Sequence, residues 1–419
     1  MQKLIVTGGK RLRGELTLQG SKNSALPIMA ATLLCGDECI LKNCPKLTDI
    51  YSASKILNCV GCRCNFNGNT AIIDSSTISE NVISEELMQE MRSSIIFLGA
   101  MLGSSGECTV SIPGGCELGP RPIDMHLAAM RKMGVDIREN FGKIICRASS
   151  GKIHGAKLSL AFPSVGATEN IILCAVLAEG ETIINNAARE PEICDLCSFL
   201  RACGANIKGD GESKIVIKGT DKLHGCEYKI MPDRIAGATY LSMTAASGGE
   251  IVLKKAWVAE MEPVLSVLEQ TGCSIYIREN IIFLRSGARL LAIKDRIRTM
   301  PHPGFPTDAQ AVLMAALAVS DGTSVFEENI FDCRYRHTDA LVKMGADIQA
   351  LGKVAIVKGV PKLHGAMVEA TDLRGGAAMV SAALSAEGTT EISRISHIDR
   401  GYEKIEDAVR SLGGVIKRV

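Results

Sequence analysis

The sequence predicts a mixed α/β protein of two domains, each built from three copies of one unit. The first observation behind this is an internal repeat. An apolar helical run, a glycine, a short β-branched strand, a polar loop, a second helix and a further glycine with its strand recur six times. The second is the spacing, roughly 70 residues, longer than that of the common solenoid repeats. The third is size: 419 residues, 46% of them apolar, can fill two or three cores.

Each element has a local reason. The first unit runs from Pro27 to Cys64, punctuated by Gly36 and Gly61. The later units are punctuated by Gly106 and Gly134, Gly180 and Gly204, Gly249 and Gly272, Gly322 and Gly345, and Gly388 and Gly413. Each of these follows a helical run, where the chain often turns through a left-handed residue that glycine adopts without strain. The stretches after them (ECTVSI, GETIIN, GEIVL, GTSVF) are short, β-branched and apolar, as strands are. The helices IIFLGAMLG and AVLMAALAV are apolar on several sides, which suits burial among sheets. The crossover between the two sets of three falls near residues 229–232. The strands predicted at residues 3–6 and 15–18 precede the first unit and are free to pair in either domain.

Composition excludes several classes of function. Lysine plus arginine number 47 against 46 aspartate plus glutamate, so neither a nucleic-acid footprint nor a polybasic membrane anchor is expected. Apolar runs such as Ala311 to Val319 are far short of the ~20 residues that span a bilayer. No signal-peptide core precedes Gly14, so a cytoplasmic protein with reduced thiols is expected. The 16 cysteines include the pairs Cys59/Cys62 and Cys194/Cys197, but no partner pair recurs at finger-like spacing. They read as small apolar core side chains, and no metal or cofactor is expected.

The polar residues cluster ahead of each unit's first helix. The six stretches are Gly20 to Ser24, Met91 to Ser94, Pro163 to Thr168, Pro232 to Ile235, Phe305 to Asp308 and Thr371 to Gly375. All carry a residue able to cap a helix, and Ser24, Ser94 and Thr168 are either caps or binding groups. Capping does not explain Lys22, Arg92, Arg234 and Arg374. A cation there opposes the helix dipole by a few tenths of a kcal/mol or more, and a bound anion offsets that conflict. These positions predict a substrate with several negative groups. A second cluster lies in loops: Pro113 to Asp124, Asn329 to His337, and His397 to Tyr402. Cys116, in a Gly/Pro-rich loop near arginines, has the setting of a reactive thiol. His154, His224 and His364 occupy similar His-Gly turns and are assigned a turn role.

Seven segments occur in one order: SKNSALP from Ser21, the PGGC loop through Arg121 and Pro122, FPSVGAT from Phe162, AAREPEI from Ala187, PHPGFPTD from Pro301, TDLR from Thr371 and HIDRGYEKIED from His397. Over essentially the whole chain this set resembles the UDP-N-acetylglucosamine 1-carboxyvinyltransferases, an enolpyruvyl transferase family. The resemblance implies two inside-out α/β barrels of three βαβαββ-like repeats each. It divides them into residues 22–231 and residues 1–21 with 232–419, with the active site in the interdomain cleft. It implies movement of the enolpyruvyl group of phosphoenolpyruvate to the 3-hydroxyl of UDP-N-acetylglucosamine; a monomer is expected.

The resemblance also implies roles. Lys22 and Asn23 meet phosphoenolpyruvate and the sugar. Arg92, Arg121, Pro122, Ile123, Asp124 and Met125 hold the UDP-sugar, and Phe162, Pro163, Ser164, Val165 and Gly166 line its nucleotide and diphosphate. Asp308 faces the acceptor hydroxyl as base or orienting group, and Ile330 lies against the sugar. Arg334, Asp372, Arg374 and Arg400 complete the site, the arginines with Lys22 and Arg121 surrounding phosphate and carboxylate. Cys116 matches the family's proton-donating thiol, which fosfomycin alkylates. The chain departs from the usual pattern at Ala236, at Asp332-Cys333 and at Gly375-Gly376, which touches only fine positioning in the second domain. Two alternatives stand beside this reading: a shikimate-directed enolpyruvyl transferase, and a UDP-sugar-binding protein without turnover.

Overall fold

Among the described residues, six small open sheets rather than one large one take up the strands. The computed structural model describes residues 2–112, 123–287 and 289–419. The chain divides into two compact units: residues 20–112 with 123–231, here the first unit, and residues 2–19 with 232–419, the second.

One topology recurs in all six sheets. A parallel edge strand lies beside a second strand, which pairs antiparallel with a third, which pairs antiparallel with a fourth. Lys157–Ser159, Glu181–Asn185, Lys214–Lys218 and Asn206–Lys208 form such a sheet. In the sheet built on Glu107–Ser111 the parallel strand shrinks to a bridge between Val82 and Thr109. Two sheets borrow a parallel edge strand. Arg13–Thr17 leads directly to the helix Lys22–Ala31, yet it pairs with Glu250–Lys254 in the second unit. Glu227–Lys229 leads to the helix Arg234–Ser247, yet it pairs with Glu38–Lys42 in the first. The N-terminal strand Leu4–Thr7 supplies the third strand of the last sheet, between Thr389–Ser393 and Val415–Arg418. No sheet closes into a barrel among the described residues: each has three or four strands, against ~8 in a small closed barrel.

The first helix of each repeat is the core. In the second unit Arg234–Ser247, Thr307–Leu317 and Leu373–Ser385 all pack on one another. In the first, Ile96–Ser105 packs on both Lys22–Ala31 and Val165–Ala175. Each is buried along nearly its whole length, so its apolar residues face other elements on every side. The closest approach needs Gly99, whose Cα faces Asn170: an added Cβ would lie 2.7 Å from Asn170 Oδ1. Among the described residues no helix is long and apolar enough to cross a membrane.

The punctuating glycines turn through positive φ as expected, with one shift. In the fourth repeat the left-handed residue is Gly248, φ 69°, and not Gly249. Gly249 instead passes so close to Leu12 that a side chain would strike its backbone. The capping assignments also change. Ser21, Ser164, Asp233 and Asp372 cap four of the six first helices; Pro306 stands before Thr307–Leu317, and Met91 before the 3-10 turn Arg92–Ile95 that leads into Ile96–Ser105, both without a side-chain bond. Ser24, Ser94 and Thr168 cap nothing. They lie inside the first turn, where Ser24 donates to Asp195, Ser94 donates to Met88 O at 2.8 Å, and Thr168 accepts from Ala188 N at 3.0 Å. His154, His224 and His364 each cover the helix-ending glycine of their own repeat: Gly134, Gly204 and Gly345.

Candidate active site

In the second unit the start of the helix Thr307–Leu317 carries Asp308, which both neighbouring arginines grip. Arg334 Nη2 donates to Asp308 Oδ1 at 3.0 Å. Arg374 donates to Oδ2 through Nη2 at 3.0 Å and Nε at 3.2 Å. The guanidinium groups are buried, with side chains 2% and 3% exposed, while Asp308 is 28% exposed. Each is held from behind. Arg374 Nη1 donates to Tyr402 Oη at 3.0 Å and the guanidinium lies over the Tyr402 ring. Tyr402 in turn contacts Thr239 Oγ1 at 2.8 Å. Arg334 lies over Phe331, and its buried Nε has no partner among the described residues. Two fixed cations at one carboxylate make a preorganised anion-stabilising group.

Asp372 belongs to this cluster as a positioning group. Its Oδ1 accepts from the N–H of Arg374 at 3.0 Å and of Gly375 at 3.1 Å. Burial works to raise its pKa, but the Arg334 charge and these N–H groups outweigh burial and hold it below the usual carboxylate range. The departure at Gly375-Gly376 now has a cause. A Cβ at Gly375 would lie 2.6 Å from Thr371 Oγ1, and one at Gly376 would lie 2.6 Å from Ile398 Cγ1. Ala236 is buried in the core, while Cys333 is exposed. Arg400 ends the 3-10 turn Ile395–Arg400 and is half-buried, whereas its neighbour Asp399 is bound to Arg418.

Sequence reasoning missed Glu328. This buried carboxylate accepts from Thr299 Oγ1 at 2.9 Å and from Thr307 Oγ1 at 3.1 and 3.0 Å. It also accepts from the N–H groups of Ile330 at 2.9 Å and Phe331 at 3.1 Å. One side chain thereby fixes both the residue before Asp308 and the half-buried Ile330. Its only signal in the sequence is an acid directly after an apolar strand.

In the first unit two groups form. Lys22, the first residue of its helix, is buried, and its Nζ lies 3.4 Å from the buried Asp49 Oδ2. Asp49 was also missed. Asn23 beside it is half-buried. The second group joins Arg92, the helix Asp124–Lys132 and the start of Val165–Ala175 around His126. Asn170 Nδ2 donates to His126 Nδ1 at 2.9 Å and to Ile95 O at 3.1 Å, and Oδ1 accepts from Gly99 N at 2.7 Å. Burial, assisted by the Arg92 charge, pushes His126 down to about 4. The neutral ring, with Nδ1 accepting, carries its proton on Nε2, next to Gly166. Ile123 and Met125 are half-buried and Asp124 is exposed. Phe162 is exposed, and Pro163 to Gly166 are half-buried at the open helix start, where Ser164 accepts from Ala167 N at 3.3 Å. Cys116, Arg121 and Pro122 lie outside the described residues. The pairs Cys59/Cys62 and Cys194/Cys197 form no metal-sized group among the described residues.

The family model for EPSP synthase (3-phosphoshikimate 1-carboxyvinyltransferase) matches residues 6–409. A UDP-N-acetylglucosamine 1-carboxyvinyltransferase 2 of Caldanaerobacter subterraneus subsp. tengcongensis is 46% identical over 419 residues, all of both chains. The corresponding enzyme of Zymomonas mobilis is 45% identical, again over the whole of both chains. Among solved structures, the enolpyruvyl transferase NikO of Streptomyces tendae superposes with a TM-score of 0.88 at 21% identity, over 100% of this chain and 99% of that one. EPSP synthase of Acinetobacter baumannii gives 0.78 at 19% identity over 100% of both, so the fold is shared beyond recognisable sequence similarity. With end-to-end identity at that level, the chain belongs to the UDP-N-acetylglucosamine 1-carboxyvinyltransferase family of enolpyruvyl transferases.

Proposed function

We propose that the protein transfers the enolpyruvyl group of phosphoenolpyruvate to the 3-hydroxyl of UDP-N-acetylglucosamine with release of phosphate, the first committed step of peptidoglycan precursor synthesis. The observation that carries this reading is the end-to-end similarity to relatives named for that reaction. The charge geometry supplies a chemical rationale. Addition of an alcohol to C2 of an enol phosphate places a proton on C3 and removes one from the hydroxyl. Elimination then expels phosphate and a C3 proton. Cys116 is the proposed proton donor to C3, and Asp308 the base or orienting group for the hydroxyl.

Both Asp308 oxygens are bonded to guanidinium groups. Transfer of one arginine to another anion would leave Asp308 the better acceptor for the hydroxyl proton. The phosphate and carboxylate of phosphoenolpyruvate are such anions, so in this reading donor binding and release of the base are one event. Lys22, Arg121, Arg334, Arg374 and Arg400 take the donor's charges, with Asp372 positioning Arg374 and Asn23 beside Lys22. Arg92, Pro122, Ile123, Asp124, Met125 and the stretch Phe162 to Gly166 take the UDP-sugar, and Ile330 its ring. We also read the three buried helices and three sheets of each unit as the family's inside-out barrel of three βαβαββ-like repeats, a reading supported by the topology common to all six sheets.

The test is phosphate release from phosphoenolpyruvate with UDP-N-acetylglucosamine, beside shikimate 3-phosphate and a no-acceptor control. Release that requires the UDP-sugar is expected. Release with shikimate 3-phosphate instead would reassign the acceptor, and none with either would leave only binding.

A further inference from the structure

Three cysteines from distant parts of the first unit converge on one point, and a fourth adjoins one of them. Cys35 ends the 3-10 turn Thr32–Leu34, and Cys39 lies in the strand Glu38–Lys42. Cys203 follows the helix Pro191–Ala202, and Cys226 precedes the strand Glu227–Lys229. The sulfurs of Cys35, Cys39 and Cys203 all lie within 4.8 Å of one another, and all three residues are buried. The Sγ of half-buried Cys226 is 3.5 Å from that of Cys203.

The backbone holds these residues together independently of any rotamer. Glu227 is in register with Ile40, and Ile40 N donates to Cys226 O at 2.9 Å, so Cys226 and Cys39 are neighbours across a parallel ladder. His224 N donates to Cys203 O at 3.0 Å, tying the third segment to the fourth. Between Cys35 and Cys39 the chain doubles back through Gly36 at φ 60°, bringing both thiols to one side.

We infer that Cys35, Cys39, Cys203 and Cys226 form a structural Zn2+ site in the first unit. A tetrahedral zinc with Zn–S bonds of ~2.3 Å sets its sulfurs about 3.8 Å apart; the Cys35, Cys39 and Cys203 sulfurs are already on that scale, and the Cys226 side chain, beside Cys203, must turn toward them to complete the four. Four thiolates close the coordination sphere, so the ion has no open position and serves stability rather than chemistry. A disulfide explains less. The 3.5 Å contact is not a covalent bond of ~2.05 Å, and pairing two of the thiols leaves two buried beside them. Core filling accounts for scattered cysteines such as Cys64 and Cys174, but it does not require four to meet. The site was hidden in the sequence because its two halves are separated by more than half of the unit. The inference does not depend on the reaction proposed above.

The test is metal analysis of the full chain purified under reducing conditions and equilibrated with Zn2+, with Co2+ as a spectroscopic probe. About one tightly held Zn2+ per chain is expected. Co2+ in its place should give strong visible bands of tetrahedral symmetry and thiolate charge transfer in the near ultraviolet. The double variant Cys35→Ser/Cys203→Ser should lose both signals, while Cys59→Ser/Cys194→Ser keeps them. Cys226→Ser should weaken Zn2+ binding by more than the ~10–100-fold typical of losing an outer-shell partner. Should the double variant fail to fold, the Co2+ spectrum of the unaltered chain decides the matter, since a spectrum without thiolate charge transfer overturns the site. Absence of bound Zn2+ with all thiols reduced also overturns it, as does a Cys203–Cys226 disulfide mapped in the native protein.

Discussion

Replacing Glu328 by alanine tests how the Asp308 group is built. The carboxylate is buried and satisfies two backbone N–H groups and two threonine hydroxyls. Hydroxyls can turn to other acceptors; the N–H groups of Ile330 and Phe331 cannot. Leaving a buried donor unsatisfied costs about 1–3 kcal/mol, so Glu328→Ala should destabilise the second unit by roughly 3–5 kcal/mol after partial relaxation. Glu328→Gln keeps an acceptor for both N–H groups, and its amide can donate to the Thr307 hydroxyl, so its loss should be about 1 kcal/mol. Trp257, the single tryptophan, lies in the same unit, so its fluorescence in a urea titration reports the relevant transition. Because Thr307 adjoins Asp308, turnover of the alanine variant should also fall, by about 10–100-fold, through misplacement of the carboxylate. A Glu328→Ala protein within about 1 kcal/mol of the parent would refute the argument that these bonds hold the site.

Other expectations follow from the same geometry. Gly375→Ala should cost about 1–3 kcal/mol by overpacking against Thr371 and Asp372, read as a lowered urea midpoint; an unchanged midpoint would show that the cap yields freely. Burial, with Arg334 assisting and Asp372 opposing, pushes His337 down to about 4 from its ordinary 6.5. Between those values the unfolded chain binds the extra proton, so this contribution to stability is complete above pH 6.5 and is lost as pH falls toward 4, by up to about 1.4 kcal/mol per pH unit. His337→Gln should flatten the stability profile there, and an equal slope in both proteins would contradict it. Asp308→Ala should abolish phosphate release while UDP-N-acetylglucosamine still binds by calorimetry; near-normal release would remove Asp308 from the reaction. Cys116→Ser should end modification by an epoxide such as fosfomycin, read by intact mass, and persistent labelling would point to an exposed thiol such as Cys59 or Cys333.

The site was legible where a residue announces itself against local expectation. Lys22 and Arg374 oppose the dipole of the helix they begin, and that conflict is visible without coordinates. Asp308 was legible only through the resemblance. Glu328 and Asp49 were not legible, because an acid after a strand or in a helix's first turn is unremarkable until its partners are known. Ser24, Ser94 and Thr168 could be read as caps or as binding groups because capping is a matter of residue type and position, while their actual partners, Asp195, Met88 and Ala188, are set by packing.

By itself the sequence determined the mixed α/β class, the recurring buried helices and eleven of the twelve glycine turns it marked. These are written in periodicity and backbone strain, which act over a few residues. Only the tertiary structure decided that Arg13–Thr17 and Glu227–Lys229 pair outside the repeats they lead into, that two arginines share Asp308, and that Cys35 and Cys203 meet. Strand partners and side-chain clusters are chosen by hydrogen-bond ladders and packing between distant segments, and a single chain's local pattern does not record which of several equivalent edges a strand will join.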